Sequence, residues 1–369
     1  MRLIVVGPTP PPVHGVTTST SLVLANPELR RAFEVEHLDT SDRRPLETIA
    51  RWDASNVRLA LAHLAELWTR LSGPRGAIYL PLSASSGGFV RDALMVEAAR
   101  SRGWVVTGHL RGGEFLDLFT RSPALARAAF RRTVRSFDSL AVLGDSLRWM
   151  FGGLIPAARL AVVPNGTTDH LVPDLPRAGR PRILFLSNLR VRKGLRESVD
   201  AALLALTEEP DIDFVFAGEW ENARLRSEIL SRSAPAGDRI RFLDTVGGHE
   251  KRRLLSSAWA LLFPPREPEG HPRVVLEALS AGLPIITTNQ GTIAETVPDG
   301  VCGFVLPKPD PAALAARILT LVRDAPLRAE MSAAARARYE DRYTQARADR
   351  ALSAWLEEVT ARCVASRAS

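Results

Sequence analysis

Twice along this chain, short and nearly continuous apolar runs alternate with longer helical patterns, and that alternation leaves few folds open. In the front half the runs fall at 2–6 (RLIVV), 33–39, 76–82 (GAIYLPL), 104–110 (WVVTGHL), 139–143 and 159–164. Helical stretches such as 54–72 and 88–102 lie between them. A strand that is apolar at nearly every position is covered on both faces, which is the condition of a parallel sheet with crossover helices. The stretch 173–181, PDLPRAGRP, has no period and reads as a linker. The pattern then restarts, with runs at 182–187, 213–217, 240–243, 260–263, 284–288 and 303–306. Asp310 followed by Pro311 is a helix start, because Asp caps free amides and Pro suits the first helical position. The expectation is an α/β protein of two Rossmann-like domains, 1–172 and 182–343, with a helix and tail over 344–369 that carries Trp355 and Leu356. Ligands in such folds bind beyond the carboxyl ends of the strands, so the site is expected there, in a cleft between the domains.

Composition agrees with this reading. A length of 369 residues suits two domains, and 46% hydrophobic with 24% charged residues is a globular composition. No apolar run reaches the roughly 18 residues of a spanning helix, and MRLIVVGPTP reads as a first strand and not as a leader. Cys302 and Cys363 are far apart, so neither a disulfide framework nor a zinc site is expected, and a cytoplasmic setting is the default. Net charge is +7, and every basic residue except Lys193, Lys251 and Lys308 is Arg. Through residue 170 there are 20 Arg against 15 acids; beyond it, 28 Arg plus Lys against 26 acids. A basic front half suits an anionic partner such as phosphates or an acidic lipid surface, although general solubility explains the charge as well. The basic amphipathic stretch 121–135 has the same two readings, membrane surface or solvated helix. No interleaving of aromatic and basic residues points to nucleic acid.

The most informative stretch is 267–282, EPEGHPRVVLEALSAG. Val274, Val275, Ala278 and Leu279 form one apolar face, so a helix starts after Gly270 and Pro272 and ends at Gly282. Free amides at its start can hold an anion such as a diphosphate. Glu269 lies just before that start and Glu277 one and a half turns inside. A carboxylate there suits sugar or ribose hydroxyls, yet Glu277 also stands four residues after Arg273 and could simply pair with it.

Two other loops have matching chemistry. The loop in 185–194, FLSNLRVRKG, follows the first strand of the back domain and presents Asn188, Arg190, Arg192 and Lys193. Cations there are placed to grip diphosphate oxygens. In the front half, GPTPPPVHGVTTST at 7–20 puts Gly15 at a strand-to-helix turn, where backbone can approach a phosphate closely. It is neither a Walker loop nor a dinucleotide fingerprint. His109 closes the run WVVTGHL, where a histidine can donate to a hydroxyl. The D-x-D of PDIDF at 210–214 leads straight into a strand, so no metal role is expected of it.

The order of these residues resembles glycosyltransferase family 4, the retaining group 1 transferases of the GT-B fold. The family pattern E-G-x-P-x-x-x-x-E-A is met by Glu269-Gly270-His271-Pro272 and Glu277-Ala278, then Gly282-Leu283-Pro284. Lys193-Gly194 matches a family Lys-Gly pair, while the family Arg falls on Asn188, leaving Arg190 or Arg192 to supply a second cation. The resemblance implies that Glu269 meets the donor sugar, with His109 against it, and that Glu277 meets the ribose. Gly291, Thr292 and Ile293 would line the diphosphate, Gly15, Gly270, His271 and Pro272 would also bind the donor, and Lys193, His109 and Glu269 would be the catalytic set. It implies transfer of a sugar from a nucleotide-diphosphate sugar to an acceptor hydroxyl, with no required cofactor or metal. The acceptor suggested is a lipid-linked saccharide at the inner membrane face, in envelope or exported polysaccharide synthesis. A nucleotide-sugar epimerase, which would turn over donor alone, and a silent nucleotide-sugar-binding protein are the alternatives.

Overall fold

The computed structural model describes residues 1–11, 15–42, 54–83, 85–113 and 115–368, and the chain divides into two compact units. One comprises Met1–Pro164 with Ala346–Ser369, the other Asn165–Gln345. The boundary falls between Pro164 and Asn165, and the stretch 173–181 lies inside the second unit. There Arg177 donates to the carbonyl oxygens of Leu255, Ser256, Ala258, Ala281 and Gly282. A stretch without period can still be pinned when one guanidinium satisfies several orphaned carbonyls.

The first unit has one six-stranded parallel sheet in the order β2-β1-β3-β4-β5-β6. Its strands are β1 (Arg2–Gly7), β2 (Glu34–Asp39), β3 (Ala77–Leu82), β4 (Val105–Leu110), β5 (Ser139–Val142) and β6 (Leu160–Val162). Its helices are α1 (Gly15–Ala25), α2 (Pro27–Ala32), α3 (Ala54–Arg70), α4 (Ser86–Ser101), α5 (Phe115–Arg121) and α6 (Ala124–Arg135). Side chains alternate across each strand, so both faces need cover. Ile4, Val6, Ile78, Leu80 and Val106 pack with Leu67 of α3 and Met95 and Val96 of α4. On the other face Leu3, Val5, Tyr79 and Val105 pack with Leu352, Trp355, Leu356 and Val359 of the last helix, α14 (Gln345–Ala368).

The second unit repeats the plan with β7 (Arg182–Leu186), β8 (Asp213–Ala217), β9 (Ile240–Leu243), β10 (Ala260–Phe263), β11 (Ile285–Thr288) and β12 (Gly303–Leu306), in the order β12-β11-β10-β7-β8-β9. Its helices are α7 (Leu195–Glu208), α8 (Ala223–Ser233), α9 (Gly248–Ser257), α10 (Arg273–Ser280), α11 (Ile293–Thr296), α12 (Pro311–Arg323) and α13 (Ala325–Arg338). Asp310 caps α12 by accepting from the Ala313 amide at 2.9 Å, with Pro311 in the first turn. Among the described residues no helix is long and apolar enough to cross a membrane, and no group of three or more His, Cys, Asp or Glu could hold a metal ion. Asp211 and Asp213 of the D-x-D both face Arg239, at 2.8 and 3.3 Å.

Because α14 supplies one face of the first sheet, Trp355→Ala should cost about 3–5 kcal/mol. Trp355 is 6% exposed and donates its indole N–H to Ser139 Oγ at 3.0 Å. Urea denaturation with hydrogen exchange should show lost protection in β1 and β3–β5 and unchanged protection in β7–β12; equal loss in both sheets would contradict this assignment.

Candidate functional site

In the second sheet the strand order reverses between β7 and β10: chain progression runs β7-β8-β9 to one side and β10-β11-β12 to the other. Loops leaving two adjacent strands toward opposite sides open a crevice at their carboxyl ends, the usual ligand position of such sheets. The two loops that flank this point are 187–194 and 264–272, the ones that hold the cations and the first acid.

Three loops are locked together here by close backbone contact. Gly194, at φ +78°, has Pro264 O only 2.0 Å from where a Cβ would stand. Gly291, at φ +59°, has Glu269 O 1.7 Å from the same point. Any side chain at either position would push a neighbouring loop away from the sheet. The Thr292 amide and hydroxyl both donate hydrogen bonds to Gly270 O, at 3.2 and 2.8 Å.

Across this floor Lys193 Nζ pairs with Glu269, both side chains mostly shielded from solvent. Glu277 is 8% exposed and takes its cation from Lys251 of α9, 2.7 Å away, whereas Arg273 donates to Gly166 O at 3.2 Å. The Arg273–Glu277 pairing that the spacing allows is thus replaced by a pair between helices. Arg190 Nε is buried without a hydrogen-bond partner, and among the described residues no carboxylate pairs with Arg190. Arg266 pairs with Glu197, and its amide donates to Arg192 O at 2.9 Å. Asn188 is exposed at the end of β7. No side chain caps the start of α10, where Pro272 is the cap residue.

His271 is held by contacts inside the protein. Its Nδ1 accepts from the Asn165 amide at 3.2 Å, and its Nε2 lies 3.1 Å from Thr296 Oγ1. The Thr296 hydroxyl donates to Thr292 O at 2.8 Å, so its oxygen is left to accept from Nε2–H. Both ring nitrogens are engaged inside the protein, and the ring packs edge-on to Tyr343. Burial, then the nearby Arg273 charge, push its pKa down to about 3. His271 therefore ties the acidic loop to α11 and to Asn165. Asn165 also donates its side chain to His271 O at 3.0 Å.

Three residues here were not singled out by sequence reasoning: Asn165, Lys251 and His170. The signal for Lys251 was its type, since two of the chain's three lysines sit on the two acids. His170 is buried near Glu277, and its amide donates to Ser280 Oγ at 3.1 Å. Burial lowers its pKa against the opposing pull of Glu277.

The first unit holds the remaining candidates. Gly15 is the first residue of α1, and nothing lies within 4 Å of where its Cβ would be. His14 and the loop residues before it, 12–13, are outside the described residues. His109 is not at an open edge. It is fully buried, with Nδ1 3.0 Å from Tyr79 Oη and its ring edge-on to Tyr79 and Trp355. Burial, then Arg111, hold its pKa well below the ordinary range. The reason is strand alternation, which turns His109 toward the face that α14 covers. Nε2 remains buried without a hydrogen-bond partner.

Two outcomes follow for the second unit. Gly291→Ala should destabilise it by about 2 kcal/mol or more, through a left-handed residue and a backbone clash. A melting temperature within a degree of the parent would contradict the contact. For His271 the folded ring stays neutral to about pH 3, while the unfolded ring takes a proton near 6.5. The stability it lends is therefore present above pH 6.5 and lost as pH falls toward 3. The cost of His271→Gln, read from urea midpoints, should shrink by about 1.4 kcal/mol per pH unit below 6.5; a pH-independent cost would place a protonated ring in the fold.

Comparison with known proteins bears on the same residues. Residues 171–338 match the family described as glycosyl transferases group 1. A glycogen synthase of Mycobacterium tuberculosis is 30% identical over 259 residues, covering 66% of this chain and 56% of that protein. A phosphatidyl-myo-inositol mannosyltransferase of Mycobacterium leprae is 29% identical over 201 residues, covering 53% and 52%. The chain thus spans about half the length of these curated relatives. Among solved structures, a glycosyltransferase from Rickettsia africae superimposes with a TM-score of 0.76 at 15% identity, covering 97% of this chain and 98% of that one. The Anabaena protein Alr3699/HepE, solved in complex with UDP, gives 0.75 at 16% identity, covering 97% and 100%. Residues 171–338 of the second unit are thus similar to the glycosyl transferases group 1 family, and the fold is the GT-B fold shared with these solved structures.

Proposed function

We propose that this chain is a retaining glycosyltransferase that moves a sugar from a nucleotide-diphosphate sugar to an acceptor hydroxyl. The observation that carries the reading is the Lys193–Glu269 pair at the switch point, beside the uncapped start of α10 and the unpaired Arg190. As the bond from the anomeric carbon to the diphosphate breaks, negative charge grows on the leaving oxygens. Lys193, Arg190 and the α10 amides are the groups that can take it, and preorganised donors of this kind are the strongest stabilisers of such charge. Glu269 receives sugar hydroxyls and Glu277 the ribose pair. Before donor binds, each acid is matched to a lysine, so neither shielded charge stands alone. Donor arrival then exchanges the Lys193–Glu269 contact for two contacts to substrate.

The same reading assigns the diphosphate charge to protein cations and amides, with no metal step. Support for the donor class is that HepE was solved with UDP and with UDP-glucose. For the first unit, the proposal keeps Gly15 and His109 in the donor-binding roles that the resemblance implies. A lipid-linked acceptor at an acidic inner membrane face, in envelope or exported polysaccharide synthesis, is the proposed setting. Relatives named for phosphatidyl-myo-inositol mannosyl transfer and for amylovoran biosynthesis support it.

A thermal-shift panel of nucleotides and nucleotide sugars should show one selectively stabilising diphosphate, and no shift from any would count against the donor site. With that donor, Lys193→Ala should lower kcat by about 10²–10³ while the melting temperature holds. Near-normal transfer by that variant would remove Lys193 from the mechanism. Glu277→Gln should raise the donor KM with kcat little changed.

A further inference from the structure

A cavity of about 620 Å³ opens in the first unit where β1 to β4 end, with α3 and α4 as its walls. That is within the size range of small-molecule sites. Its wall is unusual for a solvated helix pair. Val57 and Leu61 stand one turn apart on α3, and Val90 and Leu94 one turn apart on α4. They are 47%, 58%, 47% and 48% exposed, and all four line the cavity. Aliphatic carbon left to water along a concave wall is the surface an aliphatic chain covers.

Deeper in the cavity the chemistry changes. Thr40 and His63 also line it, at 6% and 7% exposure. Thr40 Oγ1 and His63 Nδ1 are both buried with no hydrogen-bond partner. Two unmatched polar atoms in one cavity point to partners on a ligand. The charge nearby is already neutralised: Arg91 donates to the fully buried Asp92 at 2.8 Å. Burial first, then Arg91, keep the His63 ring toward its neutral form. A hydroxyl, which donates and accepts, satisfies both atoms; of the two guanidiniums that line the cavity, Arg91 is held by Asp92 and Arg111 donates to Tyr79 Oη at 2.6 Å.

We propose that this cavity binds an amphiphile, its aliphatic chain against Val57, Leu61, Val90 and Leu94 and its hydroxyl-bearing head, a sugar or polyol, at His63 Nδ1 and Thr40 Oγ1. Calling that amphiphile the sugar acceptor rests on the glycosyl-transfer reading; its binding does not.

The test uses the full chain and monomeric n-alkyl glucosides, methyl to octyl, titrated calorimetrically below their micelle concentrations. Methyl glucoside should not saturate, and affinity should rise about fourfold per added methylene in the longer members. Leu61→Asp and Val90→Asp change exposed positions and should flatten that rise, cutting octyl glucoside affinity at least tenfold. His63→Ala and Thr40→Val should weaken every chain length by a similar factor and leave the slope unchanged, with circular dichroism reporting the fold. Absent binding at all lengths, or a slope untouched by both aspartate variants, overturns the proposal. Tighter binding of octyl phosphate than octyl glucoside overturns the neutral head. Adsorption to neutral vesicles without binding of monomers makes the wall a bilayer contact instead. UDP titrated into the same variants reads the second unit separately, so its failure would sink the donor reading alone.

Discussion

The strand-end edge of the second unit depends on one neighbour relation. β7 is hydrogen-bonded to β8 on one side and to β10 on the other, although β8 follows it in the chain and β10 comes two strands later. The loop after β7 and the loop after β10 consequently leave from adjacent positions and must share one small volume. Gly194 lets them do so, and Gly291 in the loop after β11 seats the second of them in turn, because each allows a carbonyl to occupy space that any Cβ would claim. Once the loops are seated, Lys193 and Glu269 have no route to avoid each other. The ion pair is a consequence of the topology, and the chemistry proposed for it uses a proximity that the sheet already enforces.

The same edge shows how polar groups are managed near a place meant for a ligand. His271 and Asn165 share two hydrogen bonds while Thr296 takes the other ring nitrogen, and Asp169 pairs with Arg336 at 2.7 Å a little farther out. Those networks are closed and hold position. Among the described residues Glu269 and Glu277 each take one lysine, and Arg190 pairs with no carboxylate. Closed networks make a rigid frame, and singly tethered charges inside it can exchange partners at low cost.

Much of this was legible in the sequence. Periodicity marks the inner strands among those described, because a parallel sheet covered on both faces needs apolar runs with little alternation, while β2 (EVEHLD) at the sheet edge is more polar. The order of Glu269, Gly270, Pro272 and Glu277 announces a strand-end loop and an uncapped helix. What was not legible depends on partners distant in sequence. His109 reads as a strand-end residue until Trp355, 246 positions later, arrives to cover it. His271 reads as a ligand-loop histidine until Asn165 and Thr296 take its nitrogens. Lys251 and Glu277 lie on different helices, and no local spacing could pair them in place of Arg273 with Glu277. Residues 173–181 lack any period, yet Arg177 anchors them to five carbonyls. Exposed apolar pairs on α3 and α4 look like ordinary helix patterning until the cavity between them is seen.

The division of the chain also has a temporal side. The second unit is continuous in sequence, from Asn165 to Gln345, whereas the first needs Ala346–Ser369 to cover one face of its sheet. A ribosome delivers the first unit's strands early and its closing helix last. Until α14 emerges, Leu3, Val5, Tyr79 and Val105 have only Val23, Leu29 and Phe33 as helix-side cover on that face, without Leu352, Trp355, Leu356 and Val359. The unit synthesised first is therefore the one completed second, and during the interval its sheet presents an apolar face that a chaperone can recognise.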